Sequence, residues 1–591
     1  MKEVLPSISG AGMYRPADFD TLTQALDYAA QQQAGLGFYS GKGELLETLL
    51  YRDLREQSRS IARRMRAAGL GMGERVAILA DTDADFVRAF FACQYAGLVP
   101  VAMPLPMAFG GKAGYISHIR RMIKSAGATA VLCPGPLLDM TEVAAEGLGL
   151  KAVGTLAVFD ATPDDGAPLP EILQDHLSYL QYSSGSTRFP LGVAVTQRAL
   201  MSNCRAITQH GLKITATDRC VSWLPFYHDM GLVGFLLVPV TTQMPVDYVS
   251  TREFARRPMI WPTLISRNRG TLSFSPSFGY DLCARRGASS APAENLDLSH
   301  WRVAGIGGDM IRDKVLSHFA ERFAASGFRK QAFVASYGMA EATLAISFAP
   351  LSGGIETDPV DLDQLEATAI AHPVKSTTAL NGNGAVLPRH RNFVHCGPVL
   401  FGHELEIRDS EGNLLGERHA GRILVRGPSL MQEYFANPQE TSRALSQDGW
   451  LDTGDLGYLS GGSLVITGRS KDLILINGRN VWPQDLEWAV EQEIEGLRSG
   501  DVAAFSIDEQ AGERVVLMAH CRKTSEGDRE DMRQAIVETI RVRAGLECEV
   551  MLVAPHSLPQ TSSGKLSRTQ ARQIYLNGLS GNPDLAARQQ A

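Results

Sequence analysis

The 591-residue sequence has no closely spaced pair of cysteines and no excess of basic residues. Its eight cysteines lie far apart and form no C-x-x-C motif, which argues against a disulfide framework or a zinc site and fits a cytosolic protein. With 57 basic and 64 acidic residues the net charge is -7, so the chain lacks the electrostatic signature of a nucleic-acid-binding protein. Its hydrophobic share of 44% is that of an ordinary globular protein.

A long apolar helix is also missing. The uncharged stretch at residues 89–111 is long enough to span a membrane, but it contains Pro100, Pro104 and Pro106. A helix, a turn and a buried strand explain this stretch better, so we expect no membrane span. No apolar run follows Met1, and the sequence therefore predicts no signal peptide and a cytoplasmic location.

Short apolar runs alternate with helix-like segments through much of the chain. Strands are predicted at residues 75–80, 98–103 and 128–133, with helices at 85–95 and 116–126. The pattern returns with a strand at 177–183, a helix near 198–210 and a strand at 333–336. Strands that alternate with helices predict an α/β fold with crossover connections.

Two regions interrupt this alternation. Residues 350–391 are rich in Gly, Asp, Pro and Thr and weakly periodic, so we interpret them as an insertion with a role or as a mobile segment. The second break lies near residues 468–471, after a β-rich stretch at 421–427 and 464–467. A small α+β domain is predicted beyond it, from strands at 502–506, 515–519 and 548–553 and a helix near 529–544.

A loop rich in glycine and hydroxyl side chains follows the strand predicted at 177–183. It contains Ser184, Gly185, Ser186 and Thr187. Glycine lets the backbone approach a ligand closely, and successive N–H groups with nearby hydroxyls suit a polyphosphate. The loop is not a Walker motif, and by itself it is equally well explained as a flexible turn.

Glu341 closes the motif Ser336-Tyr337-Gly338-Met339-Ala340-Glu341. The motif lies at the end of a predicted strand, where α/β sheets place ligands. A carboxylate at this position could hold Mg²⁺, which takes oxygen ligands and substrate phosphates. Taken alone, a glutamate that favours the dipole at a helix N-terminus is the simpler interpretation.

Two further motifs follow in the C-terminal third. Asp455 could accept the hydroxyl protons of a ribose, and Arg469 could reach a ribose or a phosphate, although a turn and a surface ion pair would explain both. Lys565 lies in a loop of Ser and Gly near the C-terminus. On its own, such a lysine is interpreted as solvated.

In their order and spacing, the four motifs resemble the adenylate-forming superfamily of acyl-CoA synthetases, luciferases and peptide-synthetase adenylation domains. The resemblance runs from about Tyr51 to Arg568. It implies an α/β fold with a large N-terminal domain of mixed sheets and a β-rich subdomain, and a small mobile α+β C-terminal domain. The corresponding boundaries are 1–468, a hinge at 469–472 that contains Lys471, and 473–591.

The resemblance implies ATP and Mg²⁺ as cofactors and assigns residues to them. Glu341 would hold the metal. The catalytic residues would be Lys565, Glu341 and His228, although His228 could instead be a satisfied buried histidine. The implied nucleotide-binding residues are Ser184, Gly185, Ser186, Thr187, Gly307, Gly308, Asp309, Ser336, Tyr337, Gly338, Met339, Asp455 and Arg469.

Departures from the superfamily pattern indicate the branch. Leu191 stands where most relatives carry Lys, and Ala340 where they carry Thr. The blocks SWLPFYHDMGL (222–232), SPSFGYDLCARR (275–286) and YGMAEATL (337–344) are similar to fatty acyl-AMP ligases, whose N-terminal insertion we assign to residues 350–391. Because Leu191 replaces this lysine, other groups must hold the terminal phosphates. Arg188 and backbone N–H groups of the loop are the candidates.

The resemblance thus implies that a fatty acid and Mg·ATP give acyl-AMP and pyrophosphate. The acyl group would then pass to the pantetheine thiol of an acyl carrier protein, or of a synthase carrier domain, on a separate chain. The alternatives are a long-chain fatty acyl-CoA synthetase and a catalytically dead adenylate-binding protein. Six residues could line the apolar cleft for the tail or could belong to the ordinary core: Phe226, Tyr227, Met230, Phe274, Phe278 and Met339.

Overall fold

The structure, a computed structural model, describes residues 13–106, 111–183, 190–289, 296–374, 389–476, 479–509, 512–561 and 565–581. Its strands form an eight-stranded, a six-stranded, a four-stranded and a three-stranded sheet and two separate pairs. The mixed α/β fold predicted from the sequence is confirmed. Across the described ranges, no helix combines the length and the apolar composition needed to cross a lipid bilayer.

The six-stranded sheet is parallel except at one edge. Its strands, in spatial order, are Ala152–Gly154, Ala128–Leu132, Arg75–Leu79, Val99–Met103, Leu177–Tyr182 and Gly192–Thr196. The last two pair antiparallel, so the loop between them returns the chain at the carboxyl end of Leu177–Tyr182. Residues 184–189 of this loop, which include the predicted phosphate-binding residues Ser184, Gly185, Ser186 and Thr187 and the candidate Arg188, lie outside the described residues.

The eight-stranded sheet is parallel in its centre and antiparallel at both edges. Its strands, in spatial order, are Ala345–Phe348, Phe333–Gly338, Val303–Ile306, Leu272–Ser275, Cys220–Ser222, Val246–Val249, Gly35–Tyr39 and Leu45–Leu50. The central parallel strands are buried on both faces and therefore read as nearly continuous apolar runs. Their carboxyl ends carry most of the residues that the sequence motifs single out.

The remaining strands belong to smaller sheets. Glu404–Arg408, Gly421–Arg426, Leu451–Ser460 and Ser463–Arg469 form an antiparallel four-stranded sheet. Val502–Glu509, Gly512–His520 and Cys548–Val553 form the three-stranded sheet, and Ile474–Ile476 pairs with Arg479–Val481.

Helices cover the sheets and connect their strands. The α-helices are Leu22–Ala29, Tyr51–Ala67, Ala84–Ala96, Gly111–Ser125, Leu138–Ala145, Gln197–Arg205, Val238–Thr241, Thr251–Arg256, Ile260–Asn268, Ser277–Ser289, Asp313–Phe323, Leu362–Thr368, Pro438–Ala444, Pro483–Glu493, Glu526–Ala544 and Arg568–Gly581. Short 3₁₀ turns occur at Gly135–Leu137, Leu156–Phe159, Ala324–Ser326, Lys330–Ala332, Ala340–Ala342 and Ser470–Asp472. Two π-helical segments, Ala206–Gly211 and Met230–Leu237, lie beside the cavity described below, and such segments are frequent at functional sites.

Residues 350–391 are more regular than their composition predicts. Strand Thr357–Asp361 pairs with His390–Val394, and helix Leu362–Thr368 follows the first strand. Asp361 caps this helix by accepting from the backbone N–H of Gln364 at 3.0 Å. Residues 375–388 lie outside the described residues.

Buried apolar side chains form several cores. The largest takes its residues from Ala17 to Leu451 and joins the two large sheets. The chain after residue 473 builds two cores around the three-stranded sheet, one with Val502 and Ile536 and one with Phe505 and Tyr575. This part therefore has the interior expected of a folding unit of its own.

Candidate active site

A continuous cavity of about 1650 Å³ lies at the carboxyl ends of the central strands of the eight-stranded sheet, where open α/β sheets bind ligands. The part of the chain after residue 473 closes one side of it. Eleven of the predicted site residues line this space: His228, Gly308, Asp309, Ser336, Tyr337, Gly338, Met339, Glu341, Asp455, Arg469 and Lys565. Ser183 and Leu191, which flank the glycine- and hydroxyl-rich loop, also line it.

Gly307 lies behind the cavity wall. A Cβ at this position would come within 2.5 Å of Ser336 Oγ, so only glycine lets the neighbouring strand end approach so closely. At Gly308 the backbone has φ of +76°, and an added Cβ would lie 3.3 Å from Met230 Cε and 3.9 Å from Lys565 Nζ. Gly308 therefore leaves room in front of the lysine, and Gly307 lets the strand that carries Ser336 pack closely behind it.

Lys565 extends from the C-terminal part into the cavity formed by the N-terminal part. Thr561 fixes the base of its loop, with its N–H donating to the Lys565 carbonyl at 2.7 Å. Burial lowers the pKa of Lys565, while the carboxylates of Asp309 and Asp229 favour its charged form. The lysine side chain is thus partly buried in the cavity, near two carboxylates.

Asp455 and Arg469 face each other on neighbouring strands of the four-stranded sheet. Their side chains are 3.3 Å apart, and the Tyr337 hydroxyl donates to Asp455 at 2.7 Å. Burial, together with Asp455, raises the pKa of Tyr337 well above its ordinary value, so the phenol stays a donor. A donor, a carboxylate and a guanidinium therefore converge on one wall of the cavity.

Glu341 lies in the 3₁₀ turn Ala340–Ala342 and not in the first turn of an α-helix, so the simpler explanation by a helix dipole does not apply. The Tyr434 hydroxyl donates to its Oε1 at 2.7 Å. Burial raises the pKa of Glu341, and the hydrogen bond from Tyr434 opposes that shift. Tyr434 was not predicted as a site residue, because nothing in its local sequence relates it to Glu341.

The donor set around Glu341 fits Mg²⁺. This ion is commonly held by one or two protein carboxylates together with substrate phosphates and water. Glu341 lines the cavity and has one carboxylate oxygen bonded to Tyr434. No group of three or more possible metal ligands occurs among the described residues.

His228 precedes the π-helical segment Met230–Leu237. Its ring Nδ1 lies 2.7 Å from Asp229 Oδ1, and Asp229 also accepts from the N–H of Met230 at 2.7 Å. Although burial raises the pKa of Asp229, His228 and Lys565 hold it below its ordinary value. The histidine is therefore oriented by a carboxylate, a relationship that the adjacent His-Asp pair in the sequence could have suggested.

The predicted apolar lining is largely confirmed. Five of the six residues, Tyr227, Met230, Phe274, Phe278 and Met339, line the cavity. Phe226 follows the other alternative, ordinary core packing, because this side chain is fully buried and its ring stacks on that of Phe86 at 5.2 Å. A deeper set of lining residues was missed, since its members are scattered along the chain: Ile207, Leu212, Ile214, Cys220, Val238, Met244 and Leu272.

Charged and aromatic residues join the two parts of the chain beside the cavity. The ring of Trp488, on helix Pro483–Glu493, lies between the guanidinium groups of Arg312 and Arg391, each 4.8 Å from it. Arg391 also lies 2.8 Å from Asp485, and Arg312 donates to Glu491 at 2.8 Å. We call Arg312, Trp488 and Arg391 the arginine–tryptophan stack.

Residues 350–391 also contact the C-terminal part through a buried ion pair. Glu366, whose side chain is 1% exposed, pairs with Arg389 at 3.0 Å and with Arg479 at 2.6 Å. Arg479 belongs to the chain after residue 472, so the segment at 350–391 contacts the C-terminal part through Glu366 and through Arg391. Sequence reasoning missed these contacts, because each joins residues far apart in the chain.

The chain is similar to known enzymes of the AMP-binding family over most of its length. The model of the AMP-binding enzyme family matches residues 27–435. A "Putative acyl-CoA synthetase" of Caulobacter vibrioides is 52% identical, over 96% of this chain and 97% of that protein. The "Medium-chain-fatty-acid--[acyl-carrier-protein] ligase JamA" of Moorena producens is 31% identical, over 95% of this chain and 96% of that protein.

A solved structure from work on fatty acyl-adenylate ligases from E. coli and L. pneumophila is also similar. It superposes with a TM-score of 0.89 at 42% identity, over 96% of this chain and 100% of that chain. The likeness extends over nearly the whole length of both proteins, so it includes the C-terminal part as well as the two large sheets.

Proposed function

Because the chain belongs to the AMP-binding enzymes and is an ATP-dependent ligase that activates fatty acids, we propose a reaction in two steps. A fatty acid and Mg·ATP first form acyl-AMP and pyrophosphate. The pantetheine thiol of an acyl carrier protein or carrier domain on a separate chain then loses its proton and bonds to the acyl carbon, the bond from that carbon to the phosphate oxygen breaks, and AMP leaves with the electron pair. The fatty acid and the carrier are thus the proposed partners.

The observation that carries this proposal is the position of Lys565. Its side-chain nitrogen lies beside Gly308, at the carboxyl ends of the central strands, and the nearby carboxylates of Asp309 and Asp229 favour its charged form. The wall formed by Tyr337, Asp455 and Arg469 supports a nucleotide site in the same cavity. The lysine and the nucleotide wall thus border the space where an acid and ATP would meet.

In the first step, a carboxylate oxygen of the acid bonds to the α-phosphorus of ATP. The bond from that phosphorus to the oxygen bridging to the β-phosphate breaks, and pyrophosphate leaves with the electron pair. Both reactants are anions, so catalysis requires positive charge at the phosphoryl oxygens. Lys565, held in the cavity, supplies that charge where it develops.

Glu341 is the proposed residue for the magnesium ion, which would supply further charge neutralisation at the phosphates. Tyr434 holds Oε1 of this carboxylate and so fixes its orientation. His228 and its partner Asp229 border the same space, on the side of the acyl tail. The deep apolar lining provides the dry surface that a hydrocarbon chain needs.

The second step requires a thiol to reach the acyl-adenylate. Lys565 and its loop border the site, so we propose that the C-terminal part rotates about residues 469–472 between the steps. The contacts of Glu366 and Arg391 with the C-terminal part favour the arrangement for adenylation. A carrier protein can offset this bias through its own contacts with the rotated arrangement, whereas free coenzyme A offers fewer.

The second candidate function is an acyl-CoA synthetase. The relative from Caulobacter vibrioides, at 52% identity, carries that description, although only as a putative one. The relative from Moorena producens, at 31% identity, is described as a ligase for an acyl carrier protein. The residues that bind the acid and ATP would be the same in both cases, so only the acceptor separates them.

The test supplies ATP, magnesium and a panel of fatty acids, with coenzyme A, a phosphopantetheinylated carrier protein or neither. We expect acyl-AMP to accumulate without an acceptor, acyl-carrier to form with the carrier and little acyl-CoA to form. Efficient synthesis of acyl-CoA would replace the proposal with the second candidate. Absence of acyl-AMP and pyrophosphate with every acid would refute both.

A further inference from the structure

The deep part of the cavity runs along one face of the eight-stranded sheet. Leu272 and Phe274, two residues apart on one strand, both line it, as does Cys220, which pairs in register with Leu272. Because alternate residues of a strand point to the same face, the apolar lining follows the strand from its carboxyl end to its amino end. Ile207 and Phe235, from the two π-helical segments, also line this part, and the edge of one ring of the Phe235–Phe274 pair packs against the other at 6.0 Å between centroids.

Among the described residues, this deep part ends at the turn formed by Leu212, Lys213 and Ile214. Leu212 and Ile214 line the cavity and are each 6% exposed. Lys213 between them is exposed and has φ of +46°, a left-handed conformation that non-glycine residues seldom adopt. This conformation directs its two apolar neighbours inwards while the lysine itself remains in solvent.

Three side-chain donors hold the backbone of this turn. Arg302 donates to the carbonyls of Leu212 at 3.1 Å and Lys213 at 3.2 Å, and the Tyr14 hydroxyl donates to the carbonyl of Ile214 at 2.8 Å. Arg302 is fixed in turn by the buried carboxylate of Asp218 at 2.6 Å. Each carbonyl of the turn therefore has a partner outside it, so the turn resists displacement.

We infer that this braced turn is the stop that limits the length of the acyl chain, and that Ile214 is a specificity-determining residue. The inference rests on the proposed function, because it concerns the acid that the same cavity activates. A chain that reaches Ile214 has filled the lining along the strand, and each further methylene would have to displace a turn held by Arg302 and Tyr14.

The depth of this part of the cavity indicates a medium-length acid. The three steps from Leu272 to Ser275 span about 10 Å at roughly 3.3 Å per residue. A zigzag hydrocarbon with C–C bonds near 1.5 Å advances ~1.3 Å per carbon, so this length holds about eight carbons. With the carbons next to the carboxylate, we expect the best substrates to have about 8 to 12 carbons.

The test compares acyl-AMP formation from straight-chain acids of increasing length by wild type, Ile214→Ala and Ile123→Ala. Ile123 is also buried, but in the core of the six-stranded sheet and outside the cavity lining, so its variant controls for lost stability. We expect Ile214→Ala to move the optimum about two carbons longer, since it removes three carbon atoms from the end wall. Ile123→Ala should keep the wild-type profile. Ile214→Val serves as a milder variant, with a smaller shift in the same direction, should Ile214→Ala not fold.

The outcomes distinguish failure of the proposed limit on chain length from failure of the proposed function. If Ile214→Ala and Ile214→Val form acyl-AMP with the wild-type length profile, the stop is refuted while the proposed function stands. If the wild-type protein adenylates no acid of any length, the proposed function fails and the stop with it. A wild-type optimum well beyond about 12 carbons would also overturn the inference, because such a chain would have to pass the braced turn.

Discussion

Tyr434 connects the two large sheets to Glu341. Its hydroxyl donates to the Glu341 carboxylate at 2.7 Å, at the end of the eight-stranded sheet. Its backbone, in contrast, forms a bridge with Val193 at the edge of the six-stranded sheet, on the strand that follows the glycine- and hydroxyl-rich loop. The proposed metal-binding carboxylate is therefore positioned from both sheets at once.

Replacement of Tyr434 by Phe should weaken the use of magnesium. The variant removes the donor from Oε1 of Glu341 and leaves a buried carboxylate with one partner fewer. We expect the magnesium concentration for half-maximal acyl-AMP formation to rise several-fold, with a smaller change in the rate at saturating metal. A magnesium titration of pyrophosphate release measures this.

Tyr458→Phe is the matched control. Tyr458 is a buried tyrosine that donates to Asp358 at 2.7 Å, and neither residue lines the cavity. This variant should lose similar stability and keep the wild-type magnesium requirement. Equal magnesium dependence of wild type and Tyr434→Phe would contradict the positioning role.

Lys565→Ala should abolish most acyl-AMP formation. The variant removes charge stabilisation at the phosphoryl oxygens, worth on the order of 10²–10³ in rate by analogy with the loss of one oxyanion donor. ATP binding should persist, because Tyr337, Asp455 and Arg469 remain. Single-turnover pyrophosphate release and nucleotide binding are measured side by side, with Lys151→Ala, an exposed ion-pair lysine, as control. Pyrophosphate release at the wild-type rate would remove Lys565 from the mechanism.

Trp488→Ala should increase the acyl-CoA made from free coenzyme A. It breaks the arginine–tryptophan stack, whose cation–π contacts are worth about 0.5–2 kcal/mol each. A loss of ~1.4 kcal/mol from the adenylation arrangement would raise the share of the rotated arrangement about tenfold. Acyl-AMP formation should continue, so the ratio of acyl-CoA to acyl-AMP is the quantity to measure.

Trp450→Ala provides a control of the same chemistry. Trp450 also lies between two guanidinium groups, at 5.0 Å from Arg408 and 4.8 Å from Arg426, but within the N-terminal part. Its loss should leave the product ratio unchanged. An increase in acyl-CoA with Trp450→Ala as large as with Trp488→Ala would show that the effect arises from general destabilisation.

The balance between the two arrangements should also depend on pH through Glu491. Burial raises the pKa of Glu491 to about 7, with Glu487 acting in the same direction and Arg312 and the Gly500 N–H opposing. A carboxyl group whose pKa is raised only in the docked arrangement stabilises that arrangement below its free pKa near 4.3. The contribution is lost as the pH rises through about 7.

Transfer relative to adenylation should therefore increase between about pH 5 and 7 in the wild type and level off above that range. Glu491→Gln cannot titrate and should flatten this dependence. Single-turnover measurements of both steps across this range, with the exposed Glu495→Gln as control, test the prediction. A steep rise that persists unchanged in Glu491→Gln would assign the pH dependence to another group.

The sequence predicted the sheet strands well where they are buried. The run predicted at residues 75–80 is strand Arg75–Leu79, because apolar residues on both faces leave one favourable arrangement. The regular structure between residues 357 and 368 was missed, since its helix has only seven residues and depends on the Asp361 cap. Such a short helix gives little periodic signal.

Among the residues that line the cavity, only those in local sequence motifs could be predicted. His228, Glu341, Asp455 and Lys565 were predicted because each lies in a local motif, and the fold brings all four to one space. Tyr434, Ile214 and the arginine–tryptophan stack carry no such motif. Their relationships arise from contacts between distant segments, which a single sequence does not encode in any local pattern.

The braced turn at Leu212–Ile214 bears on the order and timing of events in the cavity. Because the deep end is closed among the described residues, we expect an acyl tail to enter and leave on the side bordered by Lys565 and helix Pro483–Glu493. Departure of the acyl-adenylate should then require movement of the C-terminal part. An enzyme built this way would retain a water-sensitive mixed anhydride until the C-terminal part moves, so we expect the residence time of the intermediate to depend on the partner more than on the chemistry.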